Sequence, residues 1–245
     1  SVFVGLDNYK QLFADPTFQL VFKNTIEFTL ACLVVQFTIG FLFAMFFSKK
    51  FTLAGPIRGL VLVGYMMPMS VTALLGKNLF LLDGGVINDL LMKVHLISSP
   101  IDWLVNGGTA LGAVIAVNCW VGIPFNMLLL TSGLTGISTD IYESASMDGA
   151  NAFKRFIYIT LPLMKPAMLS VLMLGFIYTF KAFDLMYIMT AGGPFNSTDV
   201  LGTYAYSKAF TQYEFSQGSA IAMVLFACLF LVGIFYLKLL SKEVD

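Results

Sequence analysis

Residues 28–48 read FTLACLVVQFTIGFLFAMFFS and contain no charged side chain over 21 positions. An α-helix needs about 20 mostly apolar residues to cross the hydrocarbon core of a bilayer. A charge at the centre of such a helix costs roughly 2.5–3.5 kcal/mol on insertion scales, so an uncharged stretch of this length marks a membrane span. Residues 28–48 therefore predict a spanning helix.

Four more stretches have the length and composition of a span. The fourth in chain order is the least regular, because it contains charged residues and begins with Pro162 and Pro166, which suit the first turn of a helix. Near its far end, Lys181 and Asp184 are i,i+3 neighbours and can form an ion pair. With residues 28–48, these stretches predict an all-α membrane protein with five spanning helices, the others being 59–76, 109–130, 162–190 and 215–237.

The composition excludes most other classes of protein. Hydrophobic residues make up 58% of the 245 residues, charged residues only 11%, and the mean hydropathy is +0.84. A soluble domain carries roughly 25% charged residues, and a disordered chain does not leave 24 Phe and 10 Tyr in water. A formal net charge of zero provides no basic surface for nucleic acid. One histidine and three widely separated cysteines predict neither a metal site nor a catalytic centre.

The distribution of Lys and Arg predicts the orientation, because these residues favour cytoplasmic loops. If the first span enters from outside, eight of the 14 basic residues, including both arginines, lie in cytoplasmic segments. We then expect a single transmembrane domain over 1–245. Its parts are an outer interfacial segment 1–22, spans 1–3 over 23–134, a cytoplasmic loop 135–161, and spans 4–5 over 162–240.

The loop 135–161 has an internal organisation that a plain connector does not need. Asp140 and Glu143 have the spacing of a capping box with Asp140 as N-cap, which predicts a short helix. Gly149 ends that helix, and Asn151 can cap a second one. The resulting helix–Gly–helix element carries exposed apolar residues. It is either an amphipathic connector lying on the lipid surface or a docking surface for a cytosolic partner, and the residues alone favour neither.

Several motifs occur in the order found in one family of transport proteins. Glu143-Ser144-Ala145 is followed after three residues by Gly149, and after nine more by Ile159-Thr160-Leu161-Pro162. This pattern resembles the EAA signature of permease subunits of binding-protein-dependent ABC importers, with Ser144 in place of the usual first alanine. Other stretches resemble the carbohydrate branch, in particular the maltose-type first permease subunit: Phe3-Val4-Gly5-Leu6-Asp7-Asn8-Tyr9, Asp148-Gly149-Ala150, Phe183-Asp184 and Thr190-Ala191-Gly192-Gly193-Pro194. That family usually has one more span before the first of these motifs, so we expect either a longer gene product or a member without that span.

The resemblance implies a transport subunit that is not itself an enzyme. The EAA element of the family is a coupling helix that docks into a cytosolic ATPase, and this sequence lacks the P-loop pattern of such a motor. In this picture, Gly149 makes the turn between the two short helices, which a bulky side chain would obstruct. The coupling residues implied by the resemblance are Glu143, Ser144, Ala145, Asp148, Gly149, Ala150, Ile159, Leu161 and Pro162.

The resemblance also implies the assembly in which the chain works. Its partners would be a second homologous permease subunit, two copies of the cytosolic ABC ATPase and an extracellular solute-binding protein. The chain itself would bind no cofactor, whereas the ATPase would use ATP and Mg. The expected location is the bacterial cytoplasmic membrane, which the chain crosses several times.

The same resemblance points to residues that contact the transported solute. The segment from Asn118 to Phe125 resembles the part of maltose-type permeases that lines the sugar cavity, and the Gly192-Gly193-Pro194 motif places the following span in register. The implied contact residues are Asn118, Gly122, Phe125, Tyr178, Thr179 and Ala182. Thr179 and Ala182 replace asparagines of the maltose case, so maltose itself is not the expected solute. Hydrogen bonding between helices is the alternative role for Asn118 and Asn126.

The function implied is import of a sugar or oligosaccharide by alternating access. One alternative is an importer of another small polar solute such as glycerol phosphate, for which Lys181 is the candidate cation in the cavity. The other is a stand-alone channel or secondary transporter, which would require inverted repeats that the sequence does not make evident.

Overall fold

This computed structural model describes residues 4–49 and 51–244, with side chains described up to Ser241, and within these ranges the regular structure is entirely helical. The helices are α1 (Asp7–Ala14), α2 (Pro16–Phe47), α3 (Ala54–Met66), α4 (Met69–Leu79), α5 (Val86–Lys93), α6 (Ala110–Thr135), α7 (Thr139–Met147), α8 (Ala152–Arg155), α9 (Leu161–Phe180), α10 (Asp184–Met189), α11 (Leu201–Tyr206) and α12 (Phe215–Val244). Two short π-helical segments, Phe156–Thr160 and Ser207–Thr211, follow α8 and α11 directly.

Four of the described helices are long and apolar enough to cross a membrane. They are α2, α6, the continuous helix Ala152–Phe180, and α12 from Phe215 to Ser241. Helices α3 and α4 meet the same criteria only when they are taken together as one bent span. The prediction of an all-α membrane protein is confirmed, and the number of spans is four or five according to how this bent pair is placed.

The second predicted span is not a single straight helix. Helix α3 ends at Met66 and α4 begins at Met69, with Met67 and Pro68 between them. Proline disfavours helical backbone at the residue before it and cannot donate to the helical ladder. The hydropathy of 59–76 therefore predicts an apolar helical stretch correctly, but Pro68 divides this stretch into two helices.

The fourth predicted span does not begin at Pro162. The helix runs without interruption from Ala152 to Phe180, so Pro162 lies inside it. A proline ring collides with the carbonyl four residues earlier in an ordinary α-helix. In the π-helical turn before Pro162, the backbone N–H of Leu161 donates to the carbonyl of Phe156, five residues back. This wider turn gives the proline room.

The first spanning helix begins earlier than its uncharged stretch. Helix α2 starts at Pro16, within the segment 1–22 that the sequence assigns to the outer interface. Proline is favoured at the first helical position. Asp15 lies before it, and its carboxylate accepts a hydrogen bond from the backbone N–H of Thr17 at 2.9 Å. These features explain why the helix extends beyond Lys23 instead of stopping at the charge.

The described chain packs as two units, one containing residues 4–32, 67–119 and 177–231, and the other containing 33–49, 51–66, 120–176 and 232–244. Helices α2, α6, α9 and α12 each contribute residues to both units. The long helices are therefore shared, whereas the short helices belong to one unit or the other.

In the first unit, Asn88 of α5 organises the segment between α4 and α6. Its side chain is 1% exposed. The amide nitrogen donates to the carbonyls of Leu81 (3.1 Å) and Ile101 (2.9 Å), and the amide oxygen accepts from the backbone N–H of Ile101 (3.1 Å) and from Trp103 Nε1 (2.8 Å). One buried side chain thus satisfies backbone groups on both sides of α5 that would otherwise be unpaired.

The same unit holds the segment between α10 and α11 against α2. Asn24 donates from its amide nitrogen to the carbonyls of Asn196 (2.9 Å) and Asp199 (3.2 Å). The hydroxyl of Thr25 accepts from the backbone N–H of Leu201 at 2.9 Å. Asn24 and Thr25 are both buried, so polar groups of a spanning helix fix the geometry of a neighbouring loop.

In the second unit, the core is an apolar cluster to which α2, α6 and α9 contribute Phe41, Ala44, Leu130, Met164 and Val171. Glycines bring these helices close together. A Cβ at Gly133 would lie 2.7 Å from the Cβ of Ala167, and one at Gly40 would lie 2.6 Å from the Cβ of Asn126. Small residues at helix crossings are typical of membrane bundles, because they allow close backbone approach.

Candidate functional site

Helix α7 is the first half of the predicted coupling element, and its N-cap is Ser138. The Ser138 hydroxyl accepts a hydrogen bond from the backbone N–H of Asp140 at 3.3 Å. The prediction that Asp140 is the N-cap is therefore wrong, because serine caps as well as aspartate does and the helix begins two residues earlier. Asp140 lies in the first turn, where its negative charge is favourable beside the helix N-terminus.

Gly149 ends α7 in a left-handed conformation, with φ at +80°. Such a backbone costs a residue with a side chain roughly 1–2 kcal/mol. No atom lies within 4 Å of an ideal Cβ built at this position. The prediction that Gly149 makes the turn is therefore confirmed, and a side chain would disturb the turn through backbone strain and not through a clash within this chain.

The second short helix begins as predicted, at Asn151. The Asn151 side-chain oxygen accepts a hydrogen bond from the backbone N–H of Lys154 at 2.9 Å. The prediction that Asn151 caps this helix is confirmed. The helix then continues through the π-helical segment into α9, so the predicted coupling element is continuous with a candidate spanning helix.

Two side-chain hydrogen bonds join the halves of the element. Arg155 Nη1 donates to the hydroxyl of Ser146 at 2.6 Å, and the hydroxyls of Tyr142 and Thr160 are 2.9 Å apart. Beneath them, the ring of Phe156 packs on Phe41 of α2 with 6.1 Å between ring centroids. The element is thus a closed hairpin of two helices anchored in the core of its unit.

The outer surface of this hairpin carries apolar side chains. Met147 is 84% exposed, Tyr158 76% and Phe153 69%. Of the predicted coupling residues, Ala145, Ala150, Ile159 and Leu161 are half-buried, with Leu161 packed against the core cluster, and the others are exposed: Glu143, Ser144, Asp148, Gly149 and Pro162. The predicted residues therefore lie close together in the chain, some half-buried against the bundle and the others exposed on the outer surface.

Two of the predicted solute-contact residues lie in the second unit. The space beside Gly122 is filled by the chain itself, because a Cβ there would overlap the side-chain amide of the buried Gln36. Phe125 stacks on Tyr65 with a centroid distance of 5.5 Å and an angle of 29°. In the same stretch of α6, Asn126 donates to the carbonyl of Gly122 at 2.8 Å, so its side-chain amide has a hydrogen-bond partner within its own helix.

The other four predicted contact residues lie in the first unit. Asn118 is 8% exposed and Thr179 is 4% exposed, so both are buried within the helices. Ala182 is half-buried, with its carbonyl oxygen facing Gly202. Tyr178 is 57% exposed and presents the largest accessible surface of the four.

Lys181 lies beside Tyr178 and does not pair with Asp184. Its Nζ is 5.2 Å from the centroid of the Tyr178 ring, a distance at which a cation is attracted to an aromatic face. Asp184 instead occupies the first turn of α10. An aromatic ring and an ammonium group are thus adjacent on one exposed surface of the first unit.

Sequence reasoning missed the buried carboxylate of Asp199. Its oxygen accepts from the hydroxyl of Thr203 at 2.7 Å, and a Cβ at Gly192 would overlap the carboxyl group. Burial raises the pKa of Asp199, and the hydrogen bond from Thr203 opposes that rise. The only signal in the sequence was the Thr190–Pro194 motif, where Gly192 has φ at +83° and leaves room for this carboxylate.

Among the described residues, no group of three or more His, Cys, Asp or Glu is arranged to hold a metal ion. The side chains at the predicted coupling and solute-contact positions are apolar, aromatic, polar and, at Glu143 and Asp148, acidic.

Comparison with known proteins places the chain in a family. Residues 36–245 match the model of the binding-protein-dependent transport system inner membrane component. The sulfoquinovosyl glycerol transport system permease protein SmoG of Agrobacterium fabrum is 32% identical over 241 residues, covering 98% of this chain and 78% of that protein. The trehalose/maltose transport system permease protein MalF of Thermococcus litoralis is 31% identical, covering 96% and 79% respectively.

A solved structure has the same fold. A chain of a bacterial ABC transporter involved in the import of the acidic polysaccharide alginate matches with a TM-score of 0.88 at 20% identity, over 98% of this chain and 84% of that one. The match extends over both units and all the spans. With the helices long enough to cross a membrane and the family motifs in order, this chain belongs to the family of binding-protein-dependent transport system inner membrane components.

Proposed function

We propose that this chain is the membrane-spanning subunit of an importer for a sugar or oligosaccharide, which an extracellular binding protein delivers. Transport occurs by alternating access, and a separate ATPase supplies the energy. Family membership supports dependence on a binding protein. The names of the similar permeases, which concern trehalose, maltose and sulfoquinovosyl glycerol, support a carbohydrate as the solute.

The observation that carries the proposal is the free apolar surface of the α7–α8 hairpin. Met147 and Phe153 are among the most exposed large apolar residues of the described chain. Charged residues flank them on the same short element, with Glu143 and Asp148 on α7 and its turn. Apolar anchors surrounded by charges are typical of a surface that docks a protein partner, whereas a helix lying on lipid keeps its charges on the face opposite its apolar residues.

The assembly that follows contains two copies of the ATPase and a second homologous permease, in the bacterial cytoplasmic membrane. The ATPase closes when it binds ATP, and the hairpin transmits that movement into α9, because the helix is continuous from Ala152 to Phe180. The π-helical turn and Pro162 lie at the junction. The hairpin is therefore expected to move with α9 as one body.

A co-purification experiment tests the assembly. The chain is tagged in its native host, solubilised gently, and the associated proteins are identified. An ATPase with a P-loop and a second permease should be recovered with the wild type, and Met147→Gln should reduce recovery of the ATPase without reducing the membrane level of the chain. Leu96→Gln is the matched control, because Leu96 is 72% exposed but lies beyond α5. Recovery of the chain alone, stable and monodisperse, would refute the proposal and favour a stand-alone transporter.

A second candidate solute is an anionic one, and Lys181 favours it. The ammonium group beside the Tyr178 ring can pair with a carboxylate, phosphate or sulfonate while a sugar ring packs on the aromatic face. Lys181→Gln should reduce uptake of an anionic sugar and leave uptake of a neutral sugar unchanged. Equal uptake of the anionic sugar by the variant and the wild type would refute pairing of Lys181 with the solute, and uptake of only the neutral sugar by the wild type would assign the neutral class.

A further inference from the structure

An open cavity of about 530 Å³ lies where α2 ends and α3 begins. All of its lining residues belong to the second unit. Among the described residues that line it, none is acidic and two are cationic; they are Phe47, Ser48, Lys49, Phe51, Thr52, Ala54 and Arg58. None of these residues is among the predicted coupling or solute-contact residues.

The cavity lies at the end of the bundle that carries the coupling hairpin. Phe41 of α2 packs on Phe156 of the hairpin. Phe47 is six residues further along α2, or roughly 9 Å at the rise of an α-helix. The cavity therefore lies at the end of the candidate spanning helix α2 that is nearer the hairpin, and the end of a spanning helix is where we expect lipid headgroups.

The two cations leave the cavity with a surplus of positive charge. Arg58 Nη2 donates to the carbonyl of Phe47 at 2.7 Å, which uses one of its five donors. Its Nε is buried and has no hydrogen-bond partner in the described part of the chain, so one donor of the guanidinium lacks an acceptor there. The C-terminus of α2 carries the equivalent of about −0.5 charge, which does not neutralise both Lys49 and Arg58.

Two of the lining residues, Phe47 and Phe51, belong to an aromatic cluster with Phe46, which lies next to the cavity. The rings of Phe46 and Phe51 have centroids 5.1 Å apart, and those of Phe46 and Phe47 are 5.2 Å apart. Phe46 is 53% exposed. A ligand bound by the cations would therefore have apolar surface next to it, which a free inorganic anion does not need but an acyl chain does.

We propose that this cavity binds the phosphate group of an anionic phospholipid. The guanidinium of Arg58 and the ammonium of Lys49 hold the phosphate, because arginine presents donors in a planar fork that matches phosphate geometry. The acyl chains lie along the phenylalanine cluster. Basic pockets at the headgroup level of membrane helices are suited to this class of ligand.

Native mass spectrometry of the chain within its purified complex tests the proposal. The complex is titrated with phosphatidylglycerol, with phosphatidylcholine of the same acyl chains, and with inorganic phosphate. Wild type should bind one phosphatidylglycerol at least ten-fold more tightly than phosphatidylcholine. Lys49→Gln should weaken the binding of phosphatidylglycerol about five-fold, because one cation near an anionic lipid is lost. Arg58→Lys keeps the charge but loses the planar fork of donors. It should also weaken the binding of phosphatidylglycerol without changing the affinity for phosphatidylcholine.

The matched control is Lys238→Gln, because Lys238 is an exposed cation in the same unit that does not line the cavity. Its affinity for phosphatidylglycerol should equal that of the wild type. Three results would overturn the proposal. These are equal affinity for the two lipids, an equal loss in Lys238→Gln and Lys49→Gln, or displacement of phosphatidylglycerol by millimolar inorganic phosphate, which would make the site one for a free anion.

Discussion

Substitution of Gly149 separates the conformational role of this residue from a docking role. The backbone has φ at +80° and the space around an ideal Cβ is empty within 4 Å. Alanine there costs roughly 1–2 kcal/mol in backbone conformation, whereas asparagine and aspartate adopt left-handed backbone more readily. The two hydrogen bonds that close the hairpin contribute roughly 0.5–1.5 kcal/mol each, so the hairpin should survive all three substitutions.

The two roles predict opposite orders of activity. If only the turn matters, Gly149→Asn should transport better than Gly149→Ala, because the backbone of asparagine fits. If an ATPase surface lies against this side of the hairpin, the order reverses, because the larger side chain fills the open space that the partner needs. We expect the second order, with Gly149→Asp abolishing transport, since it adds both bulk and a negative charge beside Asp148.

The assay is uptake of labelled solute in cells that lack the native gene, with the membrane level of each variant measured by immunoblotting. Gly84→Asn is the matched control, since Gly84 has φ at +72° and no atom within 4 Å of an ideal Cβ, but lies in the segment before α5. It should keep wild-type uptake. Normal uptake by Gly149→Asp, or equal losses in Gly149→Asn and Gly84→Asn, would refute the coupling role.

Three further predictions concern stability and are measured by thermal unfolding in detergent. Asn88→Ala should lower the free energy of unfolding by about 2–4 kcal/mol, because it leaves buried backbone groups and an indole N–H unpaired; an unchanged Tm would contradict this role. Gly76→Ala should destabilise by about 1–3 kcal/mol, because its Cβ would lie 2.6 Å from a methyl of Val117, whereas Gly59→Ala, which meets no atom within 4 Å, should be neutral or slightly stabilising. Burial raises the pKa of Asp199 above 3.8, so this residue stabilises the fold most at low pH and the contribution is lost as pH rises through the raised pKa. Asp199→Asn should remove this part of the pH dependence of unfolding. If the free energy of unfolding of the variant has the same slope against pH as that of the wild type between pH 4 and 7, this role is excluded.

The spans were predictable because their signal is local. Twenty or more uncharged apolar residues have few structural solutions other than a membrane helix, and residues 28–48 required no partner for that inference. The α7–α8 hairpin was predictable for a similar reason. Gly149 and Asn151 act on backbone groups within three residues of themselves, and both were placed correctly.

Local signals also produced the errors. Ser138 and Asp140 are equally good caps, so only the folded chain shows which one begins α7. Pro162 looks like the start of a helix in sequence, and the π-helical turn that lets a longer helix pass through it depends on hydrogen bonds across five residues. Pro68 breaks an apolar stretch whose composition is otherwise that of a span.

The sequence by itself determined the membrane class, the apolar stretches that supply the spans, the family motifs and the turn of the α7–α8 hairpin, because each depends on composition or on neighbouring residues. Only the tertiary structure decided which polar side chains support the fold: Asn24 with Asp199, Asn88 with Trp103, and Gln36 over Gly122. It also brought Lys49 and Arg58 together at one cavity. These pairs join residues that are distant in the chain or separated by a turn, and the free energy of burying a polar group depends on the partner that folding places beside it.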